Sequence, residues 1–220
     1  MNIVLTSAGL KMPAVQGAIL KLFPKSPSEL KLAHIITASR VAPDVSWLDK
    51  DRTAIKECGF QATDILLEDL APDTAFSVLN QFDIIYVQGG NTFYLLKVAR
   101  DCGFEQAVRK LLQDPNKWYI GVSAGSYIAC PTIEMNDWKR EKDDRYGVDD
   151  LTAMNFVHFL VTVHYNREKY SELLRECLPT ASHPVRVLTD DQAFLVKDDQ
   201  ITLLGEGREI LASSIAQVGR

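Results

Sequence analysis

Trp118-Tyr119-Ile120-Gly121-Val122-Ser123-Ala124-Gly125-Ser126-Tyr127-Ile128-Ala129-Cys130-Pro131-Thr132 is the stretch on which the reading of this chain turns. Tyr119, Ile120 and Val122 form an apolar run suited to a buried strand, and Tyr127, Ile128 and Ala129 suit the first turns of a helix. Between them stands Ser123, with Gly121 and Gly125 two positions to either side, the spacing of a nucleophile elbow. Such a turn holds its serine in a strained backbone conformation with Oγ projecting. Larger flanking residues would strike neighbouring backbone. The Ala124 N–H, at a helix start, is then placed to hold an oxyanion. A glycine-rich turn with a capping serine spells the same letters; the strand before and the helix after favour the elbow.

The segment Asp83-Ile84-Ile85-Tyr86-Val87-Gln88-Gly89-Gly90-Asn91-Thr92-Phe93-Tyr94-Leu95-Leu96 repeats the pattern of strand, glycine turn and helix. Ile84 to Val87 is a continuous apolar run, as expected of a strand buried on both faces. Gly89 and Gly90 leave backbone N–H groups open, and Asn91 or Thr92 can cap the helix. Both turns are expected at the carboxyl edge of one parallel sheet, where α/β folds place their sites. A phosphate loop is the competing reading, but neither G-x-x-x-x-G-K-[ST] nor G-x-G-x-x-G is present.

Working outward, apolar runs and helical spacing alternate. Strands are predicted at Asn2 to Thr6, Leu32 to Thr37, Ala62 to Leu67, Ile84 to Val87 and around Tyr119. Helices are predicted from Ala14 to Phe23, Trp47 to Cys58 and Ala71 to Phe82, and from Asn91 to Leu112 with a break near Gly103. Glu134 to Asp150 is polar and aperiodic and reads as a surface loop. Beyond it, Phe156 to His164 reads as a strand, Arg167 to Leu178 as a helix and Val185 to Leu188 as a strand. A closing hairpin runs from Phe194 to Leu204 around Asp198-Asp199-Gln200. This order predicts an α/β fold: one domain over residues 1–220, with a mostly parallel sheet covered by helices on both faces.

Composition narrows the function. The 220 residues carry a net charge of −5 and no basic block, which argues against a nucleic-acid partner. No apolar run is long enough for a bilayer and the start is unlike a signal peptide, so a cytoplasmic protein without a membrane partner is expected. Cys58, Cys102, Cys130 and Cys177 form no CxxC pair and read as buried free thiols. Cys130 falls within the elbow helix rather than at its tip, a poor place for a nucleophile. No metal and no cofactor are implied, because no H-E-x-x-H or clustered ligand set occurs.

A serine nucleophile needs a base, and the base needs an orienting group. His34 lies inside an apolar strand and reads as a satisfied core histidine. His158 sits mid-strand and His183 precedes Pro184 in a loop, whereas His164 ends a strand and can project over the sheet edge.

Gly-Gly-Asn-Thr-Phe-Tyr-Leu-Leu from Gly89, Gly-Val-Ser-Ala-Gly-Ser from Gly121 and Ala129-Cys130-Pro131-Thr132-Ile133 together resemble the peptidase E (α-aspartyl dipeptidase) family of serine peptidases, more distantly cyanophycinases. The resemblance spans nearly the whole chain and is looser in the C-terminal third. It implies a fold similar to class I glutamine amidotransferase domains, a three-layer sandwich with serine in place of cysteine. It implies Ser123 as nucleophile and His164, in His164-Tyr165, as base, with Val163 where the family often has proline. The acid matches Asp190 in Leu188-Thr189-Asp190, where the family often has Glu; Asp137 and Asp191 are the alternatives. Gly90 and Ala124 N–H groups would form the oxyanion hole. Arg167 matches a helix whose arginine reads an aspartyl carboxylate, although a solvated first-turn arginine looks the same in sequence. The expected substrate is a dipeptide or short peptide, with an N-terminal Asp as one option, and the expected state a monomer or homodimer. An α/β-hydrolase esterase lacks its HGGG-type segment here. A silent ligand-binding domain on the same fold is the remaining alternative.

Overall fold

The strands predicted in the first half of the chain form: β1 (Asn2–Thr6), β2 (Lys31–Ile35), β3 (Gln61–Ile65), β4 (Ile84–Val87) and β5 (Trp118–Val122). They come from a computed structural model that describes residues 1–138, 144–198 and 200–217. Part of the loop expected after the elbow helix (139–143) and Asp199 in the expected hairpin turn lie outside the described residues. Helices α1 (Pro13–Leu20), α2 (Ser46–Glu57), α3 (Ala75–Leu79), α4 (Thr92–Asp101) and α5 (Phe104–Leu111) alternate with these strands. Pro13 opens α1, where its missing N–H costs nothing. Gly103, at φ 69°, separates α4 from α5 as the sequence predicted.

Beyond β5 come α6 (Ala124–Ile128), α7 (Met135–Trp138), β6 (Leu160–Thr162), α8 (Arg167–Cys177) and β7 (Val185–Val187). The chain then adds β8 (Gln192–Lys197), β9 (Gln200–Gly205), β10 (Ile210–Leu211) and α9 (Ala212–Gln217). Seven strands share one sheet in the order β3-β2-β4-β5-β1-β8-β9. The first five in that order run parallel, and the β8–β9 hairpin joins β1 antiparallel. Registers Val87↔Gly121 and Thr6↔Val122 bring the carboxyl ends of β4, β5 and β1 side by side.

Alternation sorts the strand side chains onto two faces. Ile3, Leu5, Ile85, Val87 and Tyr119 pack with Leu95, Phe104 and Ile128 of the helices on one face. Val4, Ile84, Tyr86, Ile120 and Val122 pack with Val15, Ile19 and Ile55 on the other. Both faces are covered, which is why these strands read as unbroken apolar runs. Truncating fully buried Ile120 to Ala would cost about 2–5 kcal/mol.

Three expectations are corrected. The helix expected over Ala71 to Phe82 shrinks to α3, because Thr74 Oγ1 bonds the Ala71 N–H and C=O and holds residues 71–74 as a turn. The strand expected over Phe156 to His164 shrinks to β6. The first two N–H groups of that run, of Phe156 and Val157, both go instead to the Ala129 carbonyl at the end of the α6 segment. β6 also stands outside the main sheet. It pairs parallel with β7, which pairs with β10, in a separate three-stranded sheet. Within the expected surface loop, Met135–Trp138 is the short helix α7.

Candidate active site

The end of β5 forms the elbow. Ser123 sits at φ 49°, ψ −108°, a backbone region a serine adopts only under constraint, and α6 begins at the next residue. Sterics impose both glycines. A Cβ on Gly121 would lie 2.6 Å from the Gly125 carbonyl oxygen, and one on Gly125 would lie 2.1 Å from that of Val87. Polar bonds complete the seat. The Ser123 N–H donates to the Thr6 carbonyl (3.1 Å), and the Ser126 Oγ accepts from the Thr6 N–H (3.0 Å). Tyr119 Oη donates to the Gly125 carbonyl at 2.6 Å. The anchoring roles of Thr6, Ser126 and Tyr119 were absent from the sequence reading, since nothing in their spacing marks them.

The turn after β4 lies against the elbow: a Cβ on Gly89 would meet the Ser123 Cβ at 3.0 Å. Gly90 follows at φ 137°, and a Cβ there would lie 2.2 Å from the Ala38 carbonyl oxygen. Gly90 and Ala124 N–H groups have no hydrogen-bond acceptor among the described residues. Asn91 caps α4 by accepting from the Tyr94 N–H at 2.8 Å.

Beside the elbow stands His164, with Nε2 3.1 Å from Ser123 Oγ and Nδ1 2.7 Å from Asp190 Oδ1. The two residues follow β6 and β7, so neighbouring strands of the small sheet deliver them together. His164 is itself at φ 58°. The bond from the His164 imidazole lowers the Asp190 carboxyl to about 2, aided by Ser7 and by the charges of His164 and Lys11, against the opposing effect of burial. Ser7, one residue past β1, touches the pair at three points. Its Oγ accepts from the His164 N–H (2.7 Å), donates to Asp190 Oδ1 (2.6 Å) and lies 3.1 Å from His164 Nδ1. Sequence reasoning missed it; its place at the end of a strand bordering the elbow strand was the available signal.

The other acids and histidines are elsewhere. Asp137, in α7, pairs with Arg145 at 3.2 Å, and Asp191 makes no hydrogen bond to His164. His34 is buried between Asp64 (2.9 Å) and Gln88 (3.1 Å), and His183 bonds Ser182. Cys130 lies just beyond α6 rather than within it; full burial pushes its thiol up to about 12. Arg167 is exposed at the start of α8, whose Asn166 cap accepts from the Glu168 and Lys169 N–H groups. It lines an open cavity of about 950 Å³ with Tyr165, Ser171, Arg175 and Thr189. Tyr165 and Thr189 directly follow His164 and precede Asp190 in the chain.

The model of peptidase family S51 matches residues 3–204. The chain belongs to peptidase family S51. It is therefore a serine peptidase. It is 30% identical to an uncharacterized peptidase of Pasteurella multocida, over 79% of this chain and 84% of that one. An uncharacterized peptidase of Listeria innocua is 28% identical over 86% of this chain and 93% of its own. A Nostoc protein named peptidase E is 26% identical over 61% of this chain and 52% of that protein. A crystal structure of a candidate peptidase E from Listeria monocytogenes superposes with a TM-score of 0.78 at 22% identity, covering 94% of this chain and 98% of that one. The S51 chain thus has the class I glutamine amidotransferase-like α/β fold. Among its described residues no helix is long and apolar enough to cross a membrane.

Proposed function

We propose that this S51 peptidase hydrolyses dipeptides or short peptides through a Ser123–His164–Asp190 triad, with an N-terminal aspartyl residue as its preferred target. The carrying observation is the unbroken line of contacts: Ser123 Oγ to His164 Nε2 at 3.1 Å, and His164 Nδ1 to Asp190 at 2.7 Å. Asp190, held ionised, accepts a hydrogen bond from the Nδ1–H group and leaves Nε2 as the acceptor for the Ser123 hydroxyl proton. Ser123 Oγ attacks the scissile carbonyl carbon while its proton passes to Nε2. The N–H groups of Gly90 and Ala124 receive the oxyanion. The amide C–N bond then breaks as His164 returns that proton to the leaving amine, giving an acyl-enzyme. Water, deprotonated by His164, attacks the ester and frees Ser123.

Arg167 supplies the specificity in this reading. It lines an open cavity with Glu168 and with Tyr165 and Thr189, the chain neighbours of His164 and Asp190, and a guanidinium fork there can hold a carboxylate by two parallel bonds. A panel of Asp-Xaa, Asn-Xaa and Leu-Xaa dipeptides tests it, alongside fluorophosphonate labelling of Ser123. Asp-Xaa should lead by about 2–3 kcal/mol of transition-state binding, roughly 30- to 150-fold in kcat/KM. Arg167→Met should erase that lead and spare the slow turnover of neutral dipeptides. No Asp preference in the wild type, or a ratio unchanged by Arg167→Met, would remove Arg167 from the site. Failure of fluorophosphonate to label Ser123 would remove the mechanism.

A further inference from the structure

We infer that Ser7 is a positioning residue of the catalytic machinery, the group that fixes the base and its acid against the nucleophile. The inference rests on the triad reading above. Its starting point is that the two halves of the site hang from different sheets: Ser123 ends β5 of the seven-stranded sheet, whereas His164 and Asp190 follow β6 and β7 of the three-stranded one. Consecutive residues at the end of β1 reach both halves. Thr6 holds the elbow, accepting from the Ser123 N–H and bonding Ser126. Ser7 holds the base and acid through the His164 N–H, His164 Nδ1 and Asp190 Oδ1. The Thr6-Ser7 peptide therefore sets the register between nucleophile and base.

Proton counting gives each bond a direction. An ionised carboxylate only accepts, so the one Ser7 hydroxyl proton goes to Asp190 Oδ1. Ser7 Oγ is then left to accept, and the His164 N–H at 2.7 Å takes that place. Nδ1–H points to the same Asp190 oxygen, which fixes the tautomer with Nε2 bare toward Ser123. The His164 N–H has left the β6 ladder, and its φ of 58° is a conformation that a non-glycine residue keeps only when held. Ser7 is 1% exposed, so water cannot easily replace its hydroxyl.

The test compares Ser7→Ala, Ser7→Thr, Asp190→Asn and the double variant Ser7→Ala/Asp190→Asn, by steady-state kinetics and by the rate of fluorophosphonate labelling of Ser123. Ser7→Ala should lower kcat and labelling rate together by about 10²-fold with KM nearly unchanged, because misplacement of the base acts on the covalent step. Ser7→Thr, which restores the hydroxyl, should recover most of the loss. The double variant should be no slower than Asp190→Asn alone, since both act through His164. Should Ser7→Ala not fold, Ser7→Cys keeps the volume, weakens the hydrogen bonds and carries the same expectation. Wild-type kcat and labelling in Ser7→Ala, or losses that multiply in the double variant, would overturn the inference while leaving the triad standing. A wild type unlabelled at Ser123 would overturn both.

Discussion

Ser123 and His164 both carry a positive φ, 49° and 58°, yet they are held there by different forces. The elbow around Ser123 is close-packed and guarded by repulsion: a Cβ at Gly121 or Gly125 would strike the carbonyl oxygen of Gly125 or Val87. The His164–Asp190 side is partly exposed, with side chains 38% and 49% accessible, and is kept by attraction through polar bonds that cross from one sheet to the other. Close packing tolerates little error, whereas hydrogen bonds can be removed singly without unfolding the chain. Substitutions in the first half should therefore register mainly in stability unless they touch Ser123 itself. Those in the second should register mainly in rate.

The largest effect expected is that of Ser123→Ala. It should lower kcat by roughly 10⁴- to 10⁶-fold with an unchanged melting temperature, because only the reacting oxygen is lost. His164→Gln should cost as much, because the group that takes the Ser123 proton is lost. Near-normal peptidase turnover in Ser123→Ala would end the serine mechanism.

Next comes the acid. Asp190→Asn should reduce kcat by about 10²- to 10⁴-fold through the wrong tautomer. Asp137→Asn should change it little, since Asp137 is engaged with Arg145. Thermal melts should show both variants folded; a crippled Asp137→Asn beside an active Asp190→Asn would reverse the assignment.

Gly125→Ala breaks the comparison from the other side. Its Cβ would meet the Val87 carbonyl oxygen at 2.1 Å, an overpacking expected to cost about 3 kcal/mol in urea unfolding. An unchanged midpoint would mean that the elbow is softer than its packing implies.

The smallest effect is the contribution of Asp190 to acid stability. Its carboxyl falls from 3.8 to about 2 on folding, so the stabilisation is complete above the unfolded value and fades as pH drops from 3.8 toward 2. Solvent around this half-exposed group keeps the size small. Urea midpoints measured down that window should decline more gently in Asp190→Asn; parallel slopes would show that the Asp190 carboxylate contributes no stability.

Much of this was legible in residue order. The continuous apolar runs at Ile84 to Val87 and Tyr119 to Val122 predicted buried parallel strands, and the glycines around Ser123 predicted the elbow, because both signals are local. What escaped depends on distant partners. The Phe156 to His164 run has strand composition, but its first two residues tie off the α6 segment. Nothing local says that the remainder joins a second sheet. Asp190 was separable from Asp137 and Asp191 only by family resemblance, and in the structure by its 2.7 Å contact with His164. Ser7 is one serine among many in sequence; only the adjacency of β1 to β5 gives it meaning.

That adjacency has a temporal side. β1 precedes both of its partners, β5 and β8, in the chain, and the second of them is not synthesised until residues 192–197. At about 5–20 residues per second on the ribosome, Ile3, Val4 and Leu5 emerge roughly 10–40 s before their second neighbour exists. Such long-range pairing is slow, and until it closes the strand is an apolar segment open to chaperone binding. The same delay is a safeguard. In the triad reading, Ser7 and its partner Asp190 are 183 residues apart, so a nascent chain lacks the acid until residue 190 has been made.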